Sequence, residues 1–219
     1  MKIEIEGKPV FAYMIVLLEP GENFIAESDA MATMSADLDM VAKFNGGFFR
    51  GLLKKIFGGE SLFVNHFTNN TSKPLFLTLT QATPGDIEVR MLNGESYCLQ
   101  NGAYIASDPG IKLGVKWAGF GSFIGREGLF KLVVSGKGNV YFGAYGGIIE
   151  HEVNGEYIVD SGHLVGYEPH MQLKPQLSGG IISSIFGGEG LVTRVKGSGK
   201  IYLQTRNISG LASWVNKHL

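Results

Sequence analysis

The sequence predicts an all-β protein. Three observations carry that prediction: apolar and polar side chains alternate along short runs, glycines bound those runs, and one set of motifs recurs three times. Glycine accounts for 32 of 219 residues, about twice the usual ~7%. The glycines follow no collagen period and sit between apolar runs, so they read as turns and bulges. Hydrophobic residues make up 44% of the chain and charged residues 18%, which suits a sizeable core rather than a disordered polymer.

Alternation is plain at Ile87, Val89 and Met91 against Asp86, Glu88 and Arg90. It recurs at Ile111, Leu113 and Val115 against Lys112, Gly114 and Lys116. A period of two bounded by glycine means half-buried antiparallel strands.

The repeat organises the chain. Leu92-Asn93-Gly94-Glu95 returns as Val153-Asn154-Gly155-Glu156, and Pro20-Gly21-Glu22-Asn23 is a weaker first copy. Glycine-rich knots follow at Ile56–Leu62, Ile124–Leu129 and Ile185–Leu191. Gly136-Lys137-Gly138 and Gly197-Ser198-Gly199 close the second and third copies. The predicted units are 1–93, 94–154 and 155–219 within a single domain, 1–219. A unit of about 60 residues buries its own sheet face poorly, so a shared core is expected. Asn-Gly at 93–94 and 154–155 predicts tight hairpins, whose central residues need positive φ, and the Gly-x-Gly pairs read as turns of similar size.

Two stretches break the strand rhythm. Residues 46–59 place Phe48, Phe49, Leu52, Leu53, Ile56 and Phe57 on one half of a helical wheel, with Arg50, Lys54 and Lys55 opposite. Residues 179–188 repeat the design with Ser183 and Ser184 where the cations stood. In the tail, Leu211, Trp214, Val215 and Leu219 have helical spacing, and Ser209 is the predicted N-cap.

Taken together, Glu19-Pro20-Gly21-Glu22, Gly58–Phe63, Gly102–Ser107, Gly136-Lys137-Gly138 and Gly197–Arg206 resemble the AIM24 family within the TRAP-like superfamily, along nearly the whole chain. The resemblance implies a double-stranded β-helix, jelly-roll-like fold with its three pseudo-repeats arranged around a pseudo-threefold, to which the spacing in the tail adds a short C-terminal helix. It implies no known enzymatic activity. Mitochondrial relatives are associated with inner-membrane organisation, and the tryptophan RNA-binding attenuator of the superfamily binds tryptophan and RNA as a ring.

Composition excludes several classes. A net charge of −1 argues against binding nucleic acid through bulk charge. One cysteine, Cys98, excludes a disulfide framework and a thiolate zinc cage. The start puts Glu4 and Glu6 where a signal peptide needs a basic and then an apolar segment, so none is expected, and the run Val10–Leu18 is about half the ~20 residues of a spanning helix. A soluble cytoplasmic protein is the expectation.

Reactive constellations are weak. A metal-dependent jelly-roll enzyme needs about three His and a carboxylate from adjacent strands, and His66, His151, His163, His170 and His218 include no His-x-His pair. Cys98, Asp160, Ser161 and Ser122 make no nucleophile motif. The Gly-x-Gly pairs lead into no helix that would receive a phosphate. No enzyme, cofactor or metal site is expected. Two sets of residues remain as contact candidates. Arg194, Lys196, Tyr202 and Arg206 would form a small cationic and aromatic platform for RNA. Phe48, Phe49, Arg50, Leu52, Leu53, Lys54 and Lys55 would meet a membrane surface or protein partner, or cap the core. The leading expectation is a non-enzymatic, self-associating scaffold and homo-oligomer. The alternatives are an RNA or small aromatic ligand binding module, a cupin-like metal enzyme, and a membrane-surface protein.

Overall fold

The structure, a computed structural model, describes residues 1–44, 63–117, 130–177 and 191–218. The segments 46–59 and 179–188 lie outside these residues, as do the contact candidates Phe48 to Lys55.

The described chain is built from antiparallel strands with one helix near its end. A first group runs β1 (Lys2–Glu6), β2 (Tyr13–Leu18), β3 (Asn23–Glu27), β4 (Met31–Met34), β5 (Asp39–Phe44), β6 (Phe63–Thr68) and β7 (Leu75–Leu79). A second runs β8 (Ile87–Leu99), β9 (Tyr104–Ser107), β10 (Ile111–Trp117) and β11 (Phe130–Gly143). A third runs β12 (Ile148–Asp160), β13 (Leu164–Tyr167), β14 (Gln172–Leu177) and β15 (Leu191–Gln204), followed by α1 (Ile208–His218). The all-β expectation holds, including the short C-terminal helix. Among the described strands the sheets stay open: one has the order β1-β2-β7-β4, the other β12-β15-β13-β8-β11-β9-β3-β6-β5, with β10 on β11 and β14 on β15.

The threefold repeat is present in the backbone. Units two and three each read long strand, short strand, short strand, long strand. In the first unit the long strands are divided, β2 with β3 and β6 with β7. One turn marks the common frame. The N–H groups of Leu38, Ile111 and Met171 donate to the carbonyls of Ser35, Asp108 and Glu168 at 3.0, 3.1 and 3.0 Å, and all three side chains are buried.

Asn93-Gly94 and Asn154-Gly155 are not hairpins. They lie in the middle of β8 and β12, and the Gly-x-Gly pairs lie in the middle of β11 and β15. Gly155 faces Gly197 and Val153 faces Gly199, so the paired strands turn a corner together. A register shift between Ser135 and Lys137 marks the same corner in unit two. Positive φ is used here, at 114° for Gly94 and 106° for Gly155, but it bends a continuous strand pair instead of reversing it. The repeat therefore begins at β2, β8 and β12, and cuts at 93/94 and 154/155 would divide two strands. Only the weak first copy makes a true turn, with Glu22 N–H donating to Glu19 O at 3.0 Å.

The core forms three clusters that reach across the units. The first sets Met14, Val16 and Leu77 against Phe24 and Phe67, and takes in Ile87, Ile105, Ala106 and Tyr141 from unit two. The second adds Val165 and Tyr202 from unit three, and the third adds Cys98 and Val133 from unit two. Sharing of this kind is the physical answer to units too small to bury a sheet face alone. Val89 and Met91 depart from expectation: they share a face with Ile87 by period, yet both are exposed.

Helix α1 begins two residues earlier than a cap at Ser209 would place it. Asn207 caps it instead, its Oδ1 accepting from Gly210 N–H, the geometry of an N-cap side chain. Ile208, Leu211 and Trp214 are exposed along one stripe.

Candidate functional site

The chemistry of this chain is concentrated where one unit meets the next. At the first junction β3 pairs with β9, with Ile25 opposite Ser107 and Ala26 opposite Ala106. At the second, β8 pairs with β13, with Cys98 opposite Tyr167 and Leu99 opposite Gly166. These are the same contact used twice, because β3 and the second half of β8 hold equivalent places, as do β9 and β13. Phe24 of unit one meets Tyr141 of unit two edge-on at 5.8 Å and 65°. Tyr97 of unit two meets Tyr202 of unit three at 6.0 Å and 70°. Edge-to-face aromatic pairs contribute about 0.5–1.5 kcal/mol beyond the area they bury.

The second junction also carries charge. The Arg90 guanidinium lies 4.2 Å from the centre of the Tyr97 ring and 3.5 Å from Glu168. Tyr97 donates to the Lys200 carbonyl at 3.3 Å. Tyr202 donates to Glu150 at 3.0 Å, while Lys200 sits 2.6 Å from the same carboxylate. The Lys200 hydrogen bond holds the Glu150 carboxyl below its ordinary value. Burial pushes the Tyr97 and Tyr202 hydroxyls up, so both remain protonated donors at neutral pH.

A third copy of the junction is left half-made at each end of the chain. Among the described strands β12 pairs only with β15, and β4 only with β7. All four residues of β9 and of β13 are buried, whereas in β4 Met31 and Met34 are half-buried and Ala32 and Thr33 exposed. The other half shows the same contrast. Phe24 and Tyr97 are 0% and 1% exposed, and their counterpart Ile158 is 51% exposed. Beside Ile158 runs an open groove of about 410 Å³, lined by Ile149, Tyr157, Leu203 and His163 among others.

The RNA-contact candidates do not form a platform. Arg194 and Lys196 both pair with Glu156, which is held below its ordinary value by Lys196 and then Arg194. Tyr202 is buried, packed on Phe142 and Tyr97, so its ring has no face open to a base. Arg206 follows β15, its N–H bonded to the Tyr145 carbonyl. Gly197-Ser198-Gly199 bends one strand and brings no two strands into a hairpin.

The other reactive candidates are scattered. His163 donates from Nδ1 to Gln204 O at 2.6 Å and accepts at Nε2 from Asn207 at 2.9 Å. Asp160 accepts from Gly162 N–H at 2.8 Å and Ser161 shares a hydrogen bond with Thr193. His66 lies on β6 between Ile25 and Val41, its imidazole lowered by burial and then by Lys43. Among the described residues no three His, Cys, Asp or Glu side chains are grouped to hold a metal ion. Among them, too, no helix is long and apolar enough to cross a membrane. A cavity of about 480 Å³ lies where turns of the three units meet, with Glu27, Asp29, Gln81, Gln100, Tyr145 and Gln204 on its wall.

The comparisons with known proteins bear on this repeat. A profile described as mitochondrial biogenesis AIM24 matches residues 3–206. The chain belongs to the AIM24 family. This AIM24 chain is 25% identical, over 228 residues, to an uncharacterised protein of Streptococcus pyogenes serotype M6, covering 100% of this chain and 91% of that one. The crystal structure of a Streptococcus pyogenes protein superimposes with a TM-score of 0.78 at 25% identity, covering 100% of this chain and 99% of that chain. The family resemblance read from the motifs is thereby shown, and the all-β architecture with it.

Proposed function

We propose that this AIM24 protein works without catalysis, as a self-associating scaffold. The observation that carries the reading is the fate of one position in three units: Phe24 and Tyr97 are enclosed by the following unit, and Ile158 is left half in water. Fully burying a side chain of this size is worth about 1.5–3 kcal/mol, so an apolar residue exposed beside a groove and a strand edge unpaired among the described strands favours association. The dispersed histidines and carboxylates accord with a role that needs no reacting centre.

Light scattering after size exclusion tests the reading. The purified protein at micromolar concentration is expected to show a mass above one chain. A monodisperse single-chain mass across that range would overturn it.

A further inference from the structure

We propose that the third junction forms between two copies of this chain: the free edge of β12 in one pairs antiparallel with the free edge of β4 in the other. The pairing follows the register used twice inside the chain. This inference rests on the self-association reading and specifies its surface. Ile25 faces Ser107 and Cys98 faces Tyr167, so the equivalent Val159 faces Met34 of the second copy. Ala26 faces Ala106 and Leu99 faces Gly166, so Asp160 faces Thr33 of the second copy.

The equivalences are fixed by backbone geometry. Leu77, Val140 and Ile201 lie opposite Met34, Ser107 and Tyr167, and each short strand carries a register irregularity beside its pairing with the long one. β4 is thus built as β9 and β13 are, yet among the described strands it lacks the neighbour that buries them. It carries no charged side chain to guard its edge.

Side-chain sizes agree across all three junctions. Gly166 stands against the largest pair, Tyr97 and Leu99; a Cβ there would lie 2.7 Å from the Tyr97 ring. Ala106 stands against Phe24 and Ala26. Thr33 would stand against Ile158 and Asp160. As the covering residue grows from Gly to Ala to Thr, the larger residue it covers shrinks from Tyr97 to Phe24 to Ile158. The aromatic contact follows the same trend, since Thr78 holds the place of Tyr141 and Tyr202 and would meet Ile158. The groove of about 410 Å³ beside Ile158 is the space that β4 and β7 of the second copy enter. One copy offers β12 and the other β4, so the contact is heterologous and copies add head to tail rather than about a two-fold axis.

Two single-cysteine additions test the register. Directly opposite strand residues have Cα atoms about 4.5–5.5 Å apart, within disulfide range. Met34→Cys protein and Val159→Cys protein, each retaining the buried Cys98, are mixed under mild oxidation. Linked pairs are expected to dominate the mixture and to be absent from either variant alone. Met40→Cys mixed with Val159→Cys is expected to stay unlinked. Ile158→Asp, at an exposed position, is expected to keep its circular dichroism spectrum while its mass falls to one chain. Assembly by light scattering without Met34–Val159 linkage, or with preferential Met40 linkage, would overturn this register and leave self-association standing. Assembly undisturbed by Ile158→Asp would also overturn it. A single-chain mass for the unmodified protein would remove both proposals together.

Discussion

Tyr97 and Ile158 hold the same place in successive units, three residues after the corner glycines Gly94 and Gly155. Around Tyr97 the structure supplies a ring from Tyr202, a guanidinium from Arg90 and the close backbone of Gly166. Around Ile158 it supplies an open groove. The strands that carry them belong to the same repeat and bend at the same point. What differs is whether described strands of another unit cover them. The energetic weight of a residue in a repeat protein depends as much on its neighbour as on its own module.

Breaking the enclosed side should cost most. Tyr97→Ala is expected to lower stability by about 3–5 kcal/mol in chemical denaturation, the range for deleting a large buried aromatic. Ile158→Ala should leave the isolated chain within about 0.5 kcal/mol of the parent. Equal losses would erase the contrast.

The next largest effect sharpens it at the facing residue. Gly166→Val forces a side chain into the Tyr97 ring and is expected to cost about 1–3 kcal/mol, the usual penalty of overpacking. Thr33→Val, at the exposed counterpart, is expected to stay within about 0.5 kcal/mol in the same assay on the isolated chain.

A smaller change concerns the end of unit three. Asn207→Ala removes the cap of α1, for about 1 kcal/mol. The loss should be local: amides of α1 exchange faster with solvent, while those of β8 and β11 hold their protection. Equal acceleration in β8 would show that α1 braces the whole molecule.

Charge should matter least. Glu150 and Glu156 are held below the ordinary value of 4.5, chiefly by hydrogen bonds from Lys200 and Lys196 respectively. Their contribution is complete above the unfolded value and fades as pH falls through the lower folded one, so in acid melting scans their share should decline only below about pH 4.5, after a smaller earlier decline below 6.5 from the lowered His66 imidazole. Both groups are exposed, so Glu156→Gln is expected to leave the neutral melting temperature unchanged within error.

Much of this architecture was legible in the residues. The Asn-Gly-Glu recurrence and the two-residue period announced strands in three copies, and the spacing of Leu211, Trp214 and Val215 announced the helix. The hairpins were misread for a definite reason. A glycine at positive φ serves a reversal and a mid-strand corner alike, and only the partner strand decides which. Asn207 was missed as a cap because Ser209 has an equally suitable side chain two residues on. The hairpin that would have presented Arg194, Lys196 and Tyr202 together was misread because Tyr202 lies beyond the bend at Gly197–Gly199, where the strand continues into the core. Least legible was the junction itself, since β4 and β9 look alike until their neighbours are known.

The graded series Gly166, Ala106, Thr33 has a consequence for assembly order. Three interchangeable modules would accept one another in any phase and build mixed, slipped arrays. Here the two docking faces formed within the chain are keyed to different partners: the bulk of Tyr97 and Leu99 that fits opposite Gly166 would collide with the methyl of Ala106, and Phe24 with Ala26 would leave a void opposite glycine. Divergence among the copies thus acts as an address, fixing which module may follow which.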